Sequence, residues 1–279
     1  MEYHADRFDD FSLLIFKNEK LVAVFPANVK DGVVYSHQGL TYGGLLLPFD
    51  VNFDEVTAIF NTMVAFLKRN GIDLLIVKEM PKPYHKQPSD EVAYWMHKFG
   101  SILDTQLVLA VDYGKPIALH KTKRKYHRQG SQKGLEIRKE TNFEAFWNMV
   151  LTPRLAEKHK ASPVHSLAEI ELLHSRFPDK IYQYNVYLED ELLAGITVFE
   201  TDQVVKSQYG ATTAKGEQLR AFDYLFVSLI LQFQDQKKYF SQGTVTEKNE
   251  LGYNPGLLKQ KQELGCEVHL QRTFEISLQ

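Results

Sequence analysis

An internal repeat constrains this chain more than any other feature. Residues Glu19–Thr41 and Asp190–Thr212 align without gaps at an offset of 171, and eight of the 23 positions are identical. The identities are Leu21/Leu192, Ala23/Ala194, Asp31/Asp202, Val33/Val204, Val34/Val205, Ser36/Ser207, Gly39/Gly210 and Thr41/Thr212. The shared core is Val-Val-x-Ser-x-x-Gly-x-Thr, VVYSHQGLT in one copy and VVKSQYGAT in the other. A chain of 279 residues has room for two domains, so the repeat reads as two copies of one folding unit.

The order of elements supports this. In the first half, Leu13–Phe16 and Lys20–Ala27 read as a hairpin and Val33–His37 as a third strand. A Gly-rich loop follows. A helix then carries apolar residues from Phe53 to Leu67, with Asn52 and Glu55 as its capping pair and Gly71 as its stop. A strand (Leu74–Val77), a helix (Ser89–Gly100) and a strand (Leu107–Val111) complete the half. The second half repeats the order: hairpin Tyr182–Leu188 and Leu192–Phe199, strand Val204–Tyr209, helix 219–233, strand Lys238–Gly243, helix 254–265, strand Val268–Ile276. Ahead of it lie a strand from Leu135 and two helical segments, one carrying Phe143, Phe146, Trp147, Val150 and Leu151, the other capped by Ser166 and Glu169. The first half lacks counterparts of roughly Leu135–Glu171 and reads as N-terminally truncated. The expected organisation is residues 1–119, a basic connector 120–134, and residues 135–279, with α/β (α+β) mixed sheets.

Composition excludes several classes. Lys and Arg number 33 and Asp and Glu 35, a net charge of −2, which excludes a globally basic nucleic-acid binder. The single cysteine, Cys266, excludes internal disulfides and fits a reducing compartment. The longest nearly apolar run, Tyr224–Phe233, falls short of the roughly 20 residues that span a bilayer. Met1-Glu2-Tyr3-His4 starts no secretory signal. The expectation is a cytoplasmic protein without membrane insertion. It has no His-x-x-x-His and no cysteine pair, hence no zinc site.

A strand, a Gly-containing loop and a helix N-terminus in sequence, as in QYGATTAKGEQLRAFDYL (Gln208–Leu225), resemble the GNAT acyltransferases. Two such units with the basic stretch HKTKRKYHRQGSQKGLEIRKE (His120–Glu140) and the ending NPGLLKQKQELG (Asn254–Gly265) resemble the FemABX-type tandem-GNAT branch. Lys261-Gln262-Glu263-Leu264-Gly265 is similar to that branch's terminal Lys-x-x-Phe-Gly. The resemblance covers nearly the whole chain. Two features depart from it. Neither half has the Arg/Gln-x-x-Gly-x-Gly/Ala of acetyl-CoA binders, for which Gly210 and Gly216 are a loose substitute. The second half also lacks room for the long helical hairpin often inserted in peptidoglycan aminoacyltransferases.

The resemblance implies an N-acyltransferase acting on an amine of a cell-envelope precursor or amino sugar. It would hold no tightly bound cofactor; its co-substrate would be acyl-CoA, with aminoacyl-tRNA the lesser candidate. The alternative is a non-catalytic GNAT-fold module that uses the connector for nucleic acid or a partner protein. Lys261 lies on the edge of an apolar stripe with Leu257 and Leu264. Its stem could simply pack with the head in water; a fixed ammonium would instead stabilise an acyl-transfer oxyanion or a donor phosphate. Aligning Gly100 with Gly265 puts Met96 opposite it, which places the chemistry in the second half. Ser207, Gln208 and Tyr209 sit on the strand that splays in a GNAT-like sheet, where they and Gly210 would meet the donor. The helix N-terminus near Gly216 would take its phosphate. Glu247, after the strand Phe240–Gly243, is the general-base candidate. Lys123, Arg124 and Arg128 belong to a run of eight cations in Lys121–Lys139 against one acid, Glu136. A connector lining an interdomain cleft would draw phosphate-bearing ligands to them. His37, Tyr42 and His165 are the remaining substrate-binding candidates.

Overall fold

The structure, a computed structural model, describes residues 6–279 apart from the side chain of residue 159; Met1–His4 lie outside the described residues. The chain divides into two units, Met1–Leu107 with His269–Gln279, and Val108–Val268.

In unit 1 the sheet order is β1 (Asp9–Asp10), β4 (Asn28–Lys30), β5 (Val33–Tyr35), β6 (Leu74–Lys78), β13 (Glu267–Ser277) and the N-terminal half of β7 (Ser101–Asp112). β5 and β6 are parallel and the other assigned pairs antiparallel. Two helices cover one face. α1 (Phe53–Arg69) begins with the expected capping box of Asn52 and Glu55. It buries Val56, Ile59, Phe60, Met63 and Leu67 at helical spacing. α2 (Glu91–Phe99) adds Met96 to the same core, where Leu75, Val77, Phe274 and Ile276 supply the sheet side.

β2 (Leu13–Lys17) and β3 (Lys20–Phe25) form a separate two-stranded sheet. This corrects the expected single strand Lys20–Ala27. Pro26 has no N–H for a ladder and breaks the strand between β3 and β4. Pairing resumes at once, with Phe11 N–H donating to Ala27 O (2.9 Å) and Ala27 N–H to Ser12 Oγ (3.2 Å).

In unit 2 the order is the C-terminal half of β7, then β12 (Tyr239–Thr244), β11 (Val204–Thr212), β10 (Glu191–Glu200), β9 (Ile181–Leu188) and β8 (Leu135–Glu140). α8 (Ala221–Gln232) buries Leu225, Phe226, Leu229 and Ile230. A second apolar layer holds Phe143, Phe146, Trp147, Val150, Leu151 and Ile170. It is built from α4 (Glu144–Phe146), a π-helical turn (Trp147–Leu151), α5 (Thr152–His159) and α6 (Leu167–Arg176). Pro153 removes one N–H from this helix, and the turn before it widens. Unit 1 has no counterpart of this layer among the described residues.

Residues 120–134 are no open connector. They contain α3 (Lys121–Gln132), which packs on α8 within unit 2. The expected helix 219–233 is α8 (Ala221–Gln232); a short helix, α7 (Ala214–Leu219), precedes it, and Arg220 in a left-handed conformation divides the two. α9 (Pro255–Glu263) has Asn254 as N-cap, its side chain accepting from Leu257 N–H at 2.8 Å.

Candidate active site

β11 and β12 run parallel but pair only over Val204–Lys206 and Tyr239–Ser241. Beyond Lys206, β11 continues to Thr212 against β10 alone. The two strands therefore part, and each carries a bulge where they do. Against β10, the register skips from Tyr209 to Ser207, so Gln208 is the extra residue. Against β7, it skips from Ser241 to Gly243, so Gln242 is the extra residue. A bulge re-aims side chains and ends pairing, and bulges concentrate beside active sites.

Two amide atoms at this split lack partners. Gln208 Oε1 and Gln242 Nε2 are buried without a hydrogen bond. A buried unsatisfied polar atom costs about 1–3 kcal/mol unless something else meets it. Ser207 Oγ lies 3.5 Å from Ser241 O across the start of the split.

Lys261 stands at the same place. It is 8% exposed, so the stem is not merely packed with its head in water. Its ammonium donates to Gln242 O at 2.6 Å and Thr244 O at 2.8 Å, on either side of Gly243. Burial lowers its pKa to about 8, with the neighbouring Cys266 acting weakly the other way. Cys266 is itself pushed up to about 12 by burial and is an inert thiol at neutral pH.

Tyr209 and His165 meet. The Tyr209 hydroxyl accepts from His165 N–H at 3.1 Å and is hydrogen bonded to His165 Nδ1. That contact lets a proton pass between the phenol and the imidazole. Trp147 Nε1–H donates to His165 O at 3.2 Å, and its indole meets the Tyr209 ring edge-on at 5.2 Å. The π-helical turn thus helps to hold the pair.

Other expected residues fall elsewhere. Glu247 is exposed in the loop between β12 and α9, where it accepts from Asn249 Nδ2 at 2.8 Å and Asn254 Nδ2 at 3.4 Å. It braces that loop and is not brought to Lys261. Gly216 is a packing residue. A Cβ there would lie 2.2 Å from Leu193 O, and its N–H is already capped by Thr213 Oγ1 at 3.0 Å. Gly210 leaves room for the Phe222 ring.

Lys123 is not open to a ligand. It is buried in an ion pair with Asp223 and lies 3.7 Å from Glu263. Arg124 and Arg128 are exposed on α3. His37 and Tyr42 belong to unit 1. Tyr42 lies against Tyr84 (4.8 Å between ring centres), and burial raises its pKa to about 12. Sequence reasoning missed Gln242; its only signal is the single extra residue before Gly243, which becomes visible once the β7 register is known.

No family model matches this sequence, and no curated protein does. Solved structures do match. FemX superposes with a TM-score of 0.69 at 10% identity, over 99% of this chain and 90% of its own. L-PGS from Bacillus licheniformis gives 0.62 at 10% identity, covering 96% and 84%. The C-terminal domain of a putative lysylphosphatidylglycerol synthetase from Agrobacterium fabrum gives 0.61 at 11%, covering 95% and 83%. Together with the repeated unit and the parted strands of unit 2, these likenesses show that the chain has the GNAT-like, FemABX-type fold.

Proposed function

We propose that unit 2 transfers an acyl or aminoacyl group from an activated donor to an amine of a cell-envelope precursor or amino sugar. The observation that carries this reading is the split between β11 and β12. Two bulged glutamines with unmet hydrogen bonds border it, and a buried lysine stands at its end. The structural likeness to the C-terminal domain of a putative lysylphosphatidylglycerol synthetase supports the acyl- or aminoacyl-transfer class, not the choice of acceptor.

The donor lies along the unpaired edge of β11, with Gln208 Oε1 and Gln242 Nε2 meeting its amide groups. The acceptor amine attacks the donor carbonyl, forming a C–N bond and a tetrahedral oxyanion. The Lys261 ammonium supplies a fixed positive charge near that oxygen. The attacking nitrogen loses a proton to the Tyr209–His165 pair. The C–S or C–O bond to the donor then breaks, and the leaving group takes up a proton. No covalent enzyme intermediate is needed; orientation and charge do the work. Acyl-CoA is the proposed donor class, with aminoacyl-tRNA second.

The test is thermal shift with CoA thioesters, nucleotide sugars and aminoacyl-tRNA, followed by an acyl-transfer assay with the pair that binds. A ligand at a hundredfold excess over its Kd stabilises the native state by about 2.7 kcal/mol. Transfer that survives Lys261→Met and Gln242→Ala unchanged would sink the assignment.

One observation favours the non-catalytic alternative. Lys121, Arg124, Lys125 and Arg128 are exposed on α3 and make no ion pair among the described residues. Like charges at this spacing repel on a helix. If this cationic face is the functional surface, RNA binds with steep salt dependence and no donor thioester shifts the melting temperature.

A further inference from the structure

Unit 1 repeats the split of unit 2. β5 and β6 pair in parallel from Val33↔Leu74 to Tyr35↔Ile76 and then part. Ser36 marks the fork: its N–H donates to Ile76 O at 2.9 Å, and its Oγ accepts from Lys78 N–H at 2.9 Å. Beyond the fork the loop at Gly43 takes the vacated place, with Gly43 N–H donating to Lys78 O at 2.8 Å. A Cβ on Gly43 would lie 2.1 Å from Ser36 O, so only glycine lets this loop close the fork. What remains open is a recess of about 300 Å³. Tyr35, Ser36, His37, Gln38, Lys78 and Thr273 line it, with two apolar neighbours. This volume is at the lower end of small-molecule sites, which run to about 300–1,000 Å³.

The lining is rich in donors. Ser36 Oγ already accepts a backbone proton, so its O–H points elsewhere as a donor. His37 Nδ1 accepts from Gly39 N–H at 3.1 Å, which fixes the ring at the rim of the recess. Gln38 Oε1 accepts from Asn28 Nδ2, which leaves its own NH2 to donate. Tyr35 and Thr273 add hydroxyls. Thr273 stands directly across from Lys78 in the β6–β13 pair, so their side chains share one face. Lys78 is half-buried, and its ammonium makes no hydrogen bond or ion pair among the described residues. Desolvation lowers its pKa, and Asp104 acts on it only at a distance. His37 holds a left-handed backbone, φ 63°, a strained state that a histidine adopts only where its surroundings impose it.

Register alignment of the two splits sharpens the point. Leu74 and Tyr239 each pair with the first valine of the Val-Val motif, so Lys78 corresponds to Gly243. In unit 2 the ammonium at that level comes from Lys261, and two carbonyls satisfy it. In unit 1 the helix residue opposite Lys261 is Met96, buried in the core, and the strand supplies the lysine instead.

We infer that the split in unit 1 is a second binding site, one that takes a small anionic group, a carboxylate or a phosphate, on Lys78 and the donors around it. The site is separate from acyl transfer in unit 2 and does not depend on that reading. A desolvated cation ringed by donors is repaid by an anion; a neutral or cationic ligand would leave the ammonium uncompensated.

The test is calorimetric titration of the full chain at constant ionic strength, with inorganic phosphate in one arm and acetate in the other. Saturable binding is expected in at least one arm. It should weaken at least tenfold in Lys78→Met and Lys78→Gln, persist in Lys78→Arg, and stay unchanged in Lys98→Ala, an exposed lysine of α2. Phosphate alone marks a phosphorylated ligand and acetate alone a carboxylate, and either supports the site. If Lys78→Met fails to fold, the Gln and Arg variants decide the matter by charge. No saturable binding in either arm, or equal binding by wild type and Lys78→Gln, overturns the proposal.

Discussion

Lys261 shows how a buried charge is both costly and usable. Its pKa falls from 10.5 to about 8 because burial strips water from the ammonium. The unfolded chain holds this proton more tightly than the folded one. The resulting cost to stability is therefore fully present below pH 8 and relieved as pH rises to about 10.5. The difference is roughly 3 kcal/mol. Lys261→Met removes the titration, and urea denaturation across this range should show wild type gaining roughly that amount on the variant. Near pH 7 the two should differ little, since losing N–H donors to two carbonyls costs about what the buried charge costs. Turnover should behave differently. If the ammonium stabilises the oxyanion, Lys261→Met loses about a hundredfold or more. Wild-type kcat should also fall above about pH 8, and Lys261→Arg should lack that alkaline limb. A flat wild-type profile through pH 9 would remove the ammonium from the mechanism. The lysine itself was legible from its motif and its divergence from Met96. Its partners were not, because Gln242 O and Thr244 O reach it only through a bulge set by pairing with a distant strand.

Elements differ in how openly their sequence states what they do. α1 was legible because its apolar period, cap and stop agree. α3 was not, because its buried face is Lys123, His127 and Gly130 rather than an apolar stripe. Its lysine is paired with Asp223, its histidine stacks on Tyr224 at 5.3 Å, and its glycine makes room for that ring. A charge run here conceals a helix docked by polar contacts. Asp223→Ala should thus cost about 1–3 kcal/mol, less than stranding a buried cation outright, because Glu263 remains 3.7 Å from Lys123. The double change Lys123→Met/Asp223→Leu should recover most of it, as chemical denaturation will show. Little loss in the single variant would mean that Glu263 or water compensates Lys123. Glycine substitutions should separate in the same way. Gly216→Ala drives a Cβ against backbone at Leu193 O and should cost about 1–3 kcal/mol or more, whereas Gly210→Ala meets only the end of the Phe222 ring, which can swing. Equal losses would contradict the packing role of Gly216.

At the scale of the whole chain, each unit is completed by the other repeat's last strand. By repeat order, β7 follows α2 as β13 follows α9. Yet β6 of the first copy pairs with β13, and β12 of the second pairs with β7. The repeat exposed the two copies in the sequence, but not this exchange. β7 carries a continuous apolar run, Leu107 to Val111, and β13 an alternating one, and neither pattern says which sheet accepts which strand. The exchange makes unit 1 dependent on residues nearly two hundred positions away. Phe274, Ile276 and Leu278 are 2–4% exposed and belong to its core. At about 1.5–3 kcal/mol for each buried side chain, they contribute an amount comparable with the 5–15 kcal/mol that holds a domain together. Ending the chain after Val268 should therefore unfold unit 1 selectively. In hydrogen–deuterium exchange, amides of α1, β5 and β6 should lose protection, while those of α8, β10 and β11 keep theirs. Protection retained in α1 and β6 would show that unit 1 closes its core without β13, and uniform loss would show that the two units unfold as one.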